Sequence, residues 1–164
     1  MFPEMRRHKQ ALSPEECTDI LCKAESGVLA VNGCNGYPYT IPLNHVYLNG
    51  RLYFHSAVEG HKINAITKDG RVCFCVVAEE RVNSATLSTR YRCVDVFGNA
   101  RIIDDPDKKR GVLIALAKKF APDFMDKADR EIGSEFDRTA IIEITPEHIS
   151  GKMSGDILAE TRKA

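Results

Sequence analysis

The sequence predicts a mainly β fold, a small antiparallel β-barrel with flanking helices packed outside it. Three observations lead there. Six segments carry strand signals. Two Asn-Gly pairs, Asn35-Gly36 and Asn49-Gly50, mark tight hairpin turns joining three consecutive strands. A short helical pattern, His61 to Lys68, then interrupts the strand series.

The elements follow in order. Ser13-Pro14-Glu15-Glu16 is a helix start, with Ser13 as N-cap, Pro14 at the first helical position and Glu16 closing a capping box. That helix is expected to run to about Ser26, with Ile20, Leu21 and Ala24 on its apolar face and Gly27 ending it. Val28 to Val31 is a short apolar strand. Tyr37 to Leu48 reads as one long strand, in which Pro38 and Pro42 limit pairing. Arg51 to His55 is the third strand. After the short helix, closed by Gly70, Arg71 to Ala78 is the fourth, and a long fifth covers about Ala85 to Ile103. In the fifth, Val94, Val96, Gly98, Ala100 and Ile102 alternate on one face and Asp95, Asn99 and Arg101 on the other. Asp104-Asp105-Pro106 opens a second main helix, with Val112, Leu113, Leu116 and Ala117 as its buried stripe. Phe120 to Phe136 reads as helix and loop, and Thr139 to Ile144 as the last strand. The chain is expected to form one domain over residues 1–164, with a core over about 13–150 and a mobile or partner-docked tail over 151–164.

Composition removes several function classes. Lysine plus arginine number 23 and aspartate plus glutamate 23, so the net charge is zero and no general nucleic-acid binder is expected. No apolar run is long enough to span a membrane, and no secretory h-region follows the N-terminal charges, so the chain is expected in the cytoplasm. Cys73 and Cys75 fall on one side of a strand, Cys17 and Cys22 in a helix, Cys93 in another strand. No Cys-x-x-Cys or zinc-finger histidine pair occurs, so neither a disulfide framework nor a metal site is expected.

The segment richest in chemistry runs from Tyr53 to Lys62. A strand ends in His55-Ser56, a bend contains Gly60, and His61-Lys62 opens the short helix. Free N–H groups at a helix start, a serine hydroxyl and a lysine suit a phosphate. The alternative is a solvated strand-to-helix loop. His45 alternates with Leu43 and Tyr47. It reads either as a polar contact beside a ligand or as an ordinary half-buried histidine. No nucleophile or paired acid–base set is evident. No Gly-x-Gly-x-x-Gly marks a dinucleotide site.

One resemblance gathers these residues. Its marks are Met5-Arg6-Arg7, Gly27-Val28-Leu29-Ala30, and Gly36-Tyr37-Pro38-Tyr39-Thr40-Ile41-Pro42-Leu43. Further on come Leu52 to Ala57 with Gly60-His61-Lys62, then Val94 to Ala100, and Gly151-Lys152. In their order and spacing the chain resembles the pyridoxamine 5′-phosphate oxidase-like flavin-binding split barrels, and within them the branch related to nitroimidazole-resistance proteins. The resemblance implies a six-stranded split barrel that is a homodimer with one flavin per subunit at the interface. FMN is the usual ligand, with FAD open. It maps the isoalloxazine-lining strand onto Tyr39, Thr40, Ile41, Pro42, Leu43 and Asn44, and the phosphate site onto His55, Ser56, His61 and Lys62. Lys152 becomes a candidate for the flavin's electron-rich edge. His45 and His55 become candidate catalytic contacts. The implied activity is reduction of small organic acceptors such as nitroimidazoles or nitroaromatics. Alternatives are a flavin storage or sensor protein, or a barrel holding haem or a deazaflavin. The arginine- and histidine-containing motif that grips substrate in true pyridoxamine phosphate oxidases is missing from Lys152 to Glu160, which puts vitamin B6 oxidation in doubt.

Overall fold

In the computed structural model, which describes residues 2–161, helix α1 spans Pro14–Lys23 and begins at the capping box. Ser13 Oγ accepts from the Glu16 N–H at 3.2 Å, and Glu16 Oε2 accepts from the Ser13 N–H at 2.7 Å. The helix stops earlier than expected, because Ser26 and Gly27 already belong to strand β1, Ser26–Asn32. Strands β2, Pro38–Asn44, and β3, Val46–Leu48, follow, then β4, Arg51–Ala57. Asn49 and Gly50 both take positive φ, as the two-residue β3–β4 hairpin requires. Helix α2, His61–Lys68, leads to β5, Arg71–Asn83, and β6, Ser88–Ile102. Helices α3, Pro106–Phe120, and α4, Met125–Glu135, precede β7, Thr139–Met153, and a terminal helix α5, Gly155–Thr161.

Seven strands form one antiparallel sheet in the order β2-β1-β5-β6-β7-β4-β3, not six. The extra strand arises at His45. Its backbone N–H bonds to the Glu25 carbonyl, and its ring enters the interior, where it meets the Leu21 carbonyl, so the expected Tyr37–Leu48 strand breaks there. Its first half pairs with β1 and its second with β4. These halves are the two ends of the sheet, so the barrel stays unclosed along β2 and β3.

Two other expectations change. The last strand does not end at Ile144. It continues to Met153 beside β6, absorbing Pro146 where the register slips between Phe97 and Gly98. The expected tail is likewise docked as far as it is described. Met153 and Ile157 are buried, and the Ser154 N–H bonds to the Tyr91 carbonyl. Residues 162–164 of that tail, and Met1, lie outside the described residues.

The barrel interior holds Leu29, Phe54, Phe74, Val76, Val96 and Ile142, closed by Leu21 of α1 and Ala65 and Ile66 of α2. A second apolar layer joins Val112 and Leu116 of α3 to the outer side of β3, β4 and β7 through Val46, Tyr53 and Ile141. Outside the reach of α3, Val28, Cys73, Cys75 and Val77 stand on the sheet's outer face, with Val28 and Val77 exposed. Among the described residues, no helix is long and apolar enough to cross a membrane.

Candidate functional site

β4 runs into α2 through a bend, and the bend decides what the helix start can do. Gly60 is the N-cap residue, with φ +121° and no side chain to accept from the first-turn N–H groups. Among the described residues no other side chain caps them, so the end of α2 is open to an anion. Lys62, in that first turn, is half-buried, and desolvation lowers its ammonium pKa. It has no hydrogen-bond or ion-pair partner among the described residues. A half-buried cation without a counter-charge at an uncapped helix start fits a phosphate-bearing cofactor.

The predicted residues separate around this point. His55 sits near Lys62: partial desolvation, and then the Lys62 charge, push its imidazole below the ordinary histidine value. His55 is thus a neutral hydrogen-bonding group near pH 7. Ser56 is buried and, one residue on, points to the opposite side of β4 with Phe54. His61 packs edge-on against Tyr39 with centroids 4.7 Å apart, which joins the α2 start to β2. Tyr39, Thr40, Ile41, Pro42 and Leu43 lie along β2, whose second edge has no strand beside it. The expected lining strand is therefore an open edge next to the helix start.

Three candidates fall elsewhere. His45 is fully buried, with Nε2 donating to the Leu21 carbonyl at 2.9 Å and its ring edge-on to Phe74. Among the described residues its Nδ1 has no partner, and burial lowers its pKa to about 4. It is a core histidine that breaks the strand, not a polar contact at a site. Asn44 spends its side-chain amide on the Glu25 carbonyl at 3.1 Å, as part of the same crossing. Lys152 lies far along β7, opposite Cys93 and bridged to Ala11, away from the end of β7 that pairs with Ser56. The unexpected length of β7 carries it there.

Lys152 lines a cleft of about 700 Å³ between the N-terminal segment, α1 and the outer face of β6 and β7. Phe2 stacks on His148 over its floor, with ring centroids 4.7 Å apart and planes within 12°. Sequence reading missed this cleft. Its one local signal was the alternation of Cys93, Asp95 and Phe97 against the buried Val94 and Val96. It also missed Glu143, a fully buried carboxylate that accepts from Arg51, Arg101 and Lys108.

Comparison with known proteins agrees with this architecture. Several solved structures share the fold. A candidate 5-nitroimidazole antibiotic resistance protein from Bacteroides thetaiotaomicron superposes with a TM-score of 0.70 at 22% identity, covering 87% of this chain and 86% of that one. A FAD- and heme-binding protein from Mycobacterium smegmatis gives 0.75 at 23% identity, covering 93% and 80%. A FAD-binding protein from Mesorhizobium loti gives 0.66 at 24%, covering 89% and 98%. Among curated proteins none matches the chain. The family model described as pyridoxamine 5′-phosphate oxidase matches residues 13–153, from the cap of α1 to the end of β7, and the chain belongs to that family.

Proposed function

We propose that this protein binds a flavin, with FMN the favoured form, and uses it to reduce small aromatic acceptors of the nitroimidazole or nitroaromatic class. Lys62 carries the reading: it is a half-buried ammonium without a partner among the described residues, at an uncapped helix start. The flavin phosphate would sit there, with His55 and His61 beside it. The isoalloxazine would lie along the free edge of β2, from Tyr39 to Leu43. The flavin-binding proteins that share the fold support a flavin as the ligand. When bound, it supplies the redox chemistry, taking two electrons from a donor such as a reduced nicotinamide and passing them on. The chain's own part is to bind, orient and exclude water. His55, neutral near pH 7, offers a hydrogen bond rather than a charge.

A homodimer belongs to the same proposal. The outer face of β1 and β5 carries Val28 and Val77, both exposed, beside the half-buried Cys73 and Cys75, and a second copy would cover it. An obligate interface of this kind buries on the order of 2,000 Å² or more in total. Sedimentation should give twice the chain mass. A monomer that holds flavin tightly would refute the shared arrangement.

Two measurements test the rest. Lys62→Ala should weaken FMN about ten- to a hundredfold and riboflavin far less, since a charge-assisted contact is worth roughly 1.5–3 kcal/mol and only FMN has the phosphate. Equal losses for both ligands would sink the assignment. For the reaction, flavin-loaded protein is reduced chemically without oxygen and mixed with a 5-nitroimidazole. Reoxidation should saturate with nitroimidazole concentration, and His55→Ala should slow it without removing the flavin. A rate no faster than free reduced FMN, and linear in nitroimidazole, would leave a storage or sensing role in its place.

A further inference from the structure

We propose that the cations gathered around Glu143 form an anion site on the outer wall of the barrel, and that its ligand is a phosphate dianion, free or carried by a small molecule. The site is distinct from the start of α2 and stands whether or not the chain holds flavin.

Four elements supply the parts. Arg101, near the end of β6, lies directly opposite Glu143 of β7, and Tyr53 of β4 lies opposite it on the other side. Arg51 opens β4, and Lys108 stands in the first turn of α3. Arg101 reaches Glu143 Oε1 with Nε at 2.8 Å and Nη2 at 2.7 Å, and Arg51 reaches the same oxygen with Nη1 at 3.1 Å. Lys108 donates to Oε2, and Tyr53 hydrogen-bonds to the carboxylate as well. A carboxylate offers about four acceptor sites, and these bonds fill them. The other N–H groups of both guanidinia and of the ammonium are left for an outside acceptor. One cation would balance the buried acid, so three leave two positive charges over. Among the described residues, Glu143 is the sole carboxylate paired with any of the three. The acids before Lys108 in the chain do not close the gap. Asp105 accepts from the Asp107 and Lys108 N–H groups at 2.9 and 3.1 Å as the cap of α3, and Asp104 pairs with none of the three cations. The acid has no exposure, whereas the side chains of Lys108, Arg51 and Arg101 are 34, 40 and 64% exposed. Glu143 thus anchors the cluster from beneath, and the excess charge faces outward. Because Arg51 and Arg101 share one oxygen, their bonded nitrogens lie at most about 6 Å apart, a gap that one anion can bridge with two hydrogen bonds. Thr145, two residues along β7 on the same face, adds an exposed hydroxyl without a partner among the described residues. A carboxylate ligand would bring one negative charge. A phosphate brings nearly two, with three acceptor oxygens suited to guanidinium forks, and so matches both the excess charge and the donors.

The test uses the full-length, flavin-loaded protein, titrated calorimetrically with inorganic phosphate, phenyl phosphate and nitrate at about pH 8, where the phosphates are dianions. One phosphate per chain is expected, with nitrate at least about tenfold weaker. Arg101→Gln should weaken phosphate about tenfold with little change in the urea midpoint, and Arg51→Gln together with Arg101→Gln should abolish binding. Lys23→Gln, which removes an exposed charge paired with Asp19 on α1, should change nothing, so net charge alone is not what is read. In the wild-type protein, phosphate should shift the guanidinium Nε–H signals of Arg51 and Arg101 in NMR spectra, a readout that needs no variant to fold. Tighter binding of phenyl phosphate would make the ligand a phosphorylated small molecule, and equal binding would make it free phosphate. Nitrate bound as tightly as phosphate, or no phosphate binding, overturns the proposal while the flavin reading stands. Binding that Lys62→Ala removes and Arg101→Gln does not also overturns it, since phosphate then goes to the start of α2 alone. Wild-type protein that holds no flavin defeats the proposed function, and the titrations are then read in the Lys62→Ala background, where the Arg101→Gln loss is still expected.

Discussion

Around Glu143, three cations converge on one carboxylate with no solvent exposure; at the start of α2, Lys62 has no carboxylate partner among the described residues. Both places hold basic side chains near the outside of the same barrel. In the first, Glu143 Oε1 accepts from Arg51 at 3.1 Å and Arg101 at 2.8 Å, and Oε2 accepts from Lys108. Those bonds tie β4, β6 and α3 to β7. Burial alone would raise the Glu143 pKa, but hydrogen bonds from Lys108, Arg101 and Tyr53 outweigh it and hold the carboxyl down at about 2. Tyr53 shows the counterpart, its phenol pushed up to about 12 by burial and by Glu143. At α2, desolvation lowers the Lys62 pKa and no counter-charge among the described residues offsets it. A cation whose counter-charge is built in serves the fold. A desolvated cation without one carries a cost that a ligand can relieve.

The sharpest way to break the comparison is Glu143→Leu. It leaves three part-exposed cations around an apolar side chain; breaking a fully buried ion pair costs about 3–5 kcal/mol, an upper bound here because water reaches each cation. Urea unfolding should show that loss as a lower midpoint at unchanged slope. A loss below about 1 kcal/mol would mean the cluster is surface decoration, and the contrast with Lys62 would go.

Next in size is an acid response with two separate windows. His45 falls from 6.5 to about 4 in the folded chain, first through burial, against the Leu21 hydrogen bond and with a smaller push from Lys119. Its folded pKa lies below its unfolded one, so the unfolded chain binds the extra proton between them. The stability it contributes is complete above pH 6.5 and is lost as pH falls toward 4, about 3 kcal/mol in all. Glu143 acts lower, present above 4.5 and lost toward 2. His45→Gln should therefore flatten the stability–pH curve between 6.5 and 4 and leave the fall below 4.5 in place. An unchanged slope in the upper window would show that His45 does not stay neutral in the fold.

The two regions also mark what the sequence made legible. Ser13 with Glu16, and Asn49 with Gly50, announce their structures because each bond closes within four residues. The α2 start was legible for the same reason: Gly60, His61 and Lys62 are contiguous, and an uncapped helix end is local physics. Glu143 was not. Its partners lie 35, 42 and 92 residues away, and in the strand Thr139–Ile144 it looks like any solvent-facing carboxylate. The strand break at His45 was hidden similarly, because the Leu21 and Glu25 carbonyls that draw the chain inward belong to a different element. The continuation of the last strand past Ile144 was hidden too, because Pro146 cannot donate to a ladder and is accommodated by a register slip in the β6–β7 pairing.

Lys62→Ala sharpens the contrast from the other side. Without flavin, the variant should unfold at the wild-type midpoint or slightly above it, since no contact is lost and a desolvated charge is removed. The effect should appear only in FMN affinity, at roughly 1.5–3 kcal/mol. Differential scanning calorimetry of the flavin-free proteins checks the first half. A flavin-free Lys62→Ala protein that melts far below wild type would place Lys62 with Glu143 as a structural charge.

The smallest expected effect lies within the Glu143 cluster. Arg101 donates to the carboxylate from a side chain that is 64% exposed, so water already solvates much of its charge. Arg101→Ala leaves Glu143 with Lys108, Arg51 and Tyr53, enough donors to keep both oxygens bonded. The loss should stay within the range of an exposed pair, roughly 0.2–1 kcal/mol. The carboxyl should titrate somewhat higher, because one of the bonds holding it down is gone. Carbon-detected NMR of the Glu143 side chain reads that shift directly, and urea unfolding reads the stability. The asymmetry is the informative quantity: one carboxylate removed should cost several times more than one of its three cations. In the double variant Arg101→Ala with Glu143→Leu, the arginine should contribute nothing further, or its removal should recover stability, since it no longer has an acceptor. If Arg101→Ala alone costs as much as Glu143→Leu, the three cations are not interchangeable. The arginine, rather than the buried acid, would then be the group around which β6 and β7 are held.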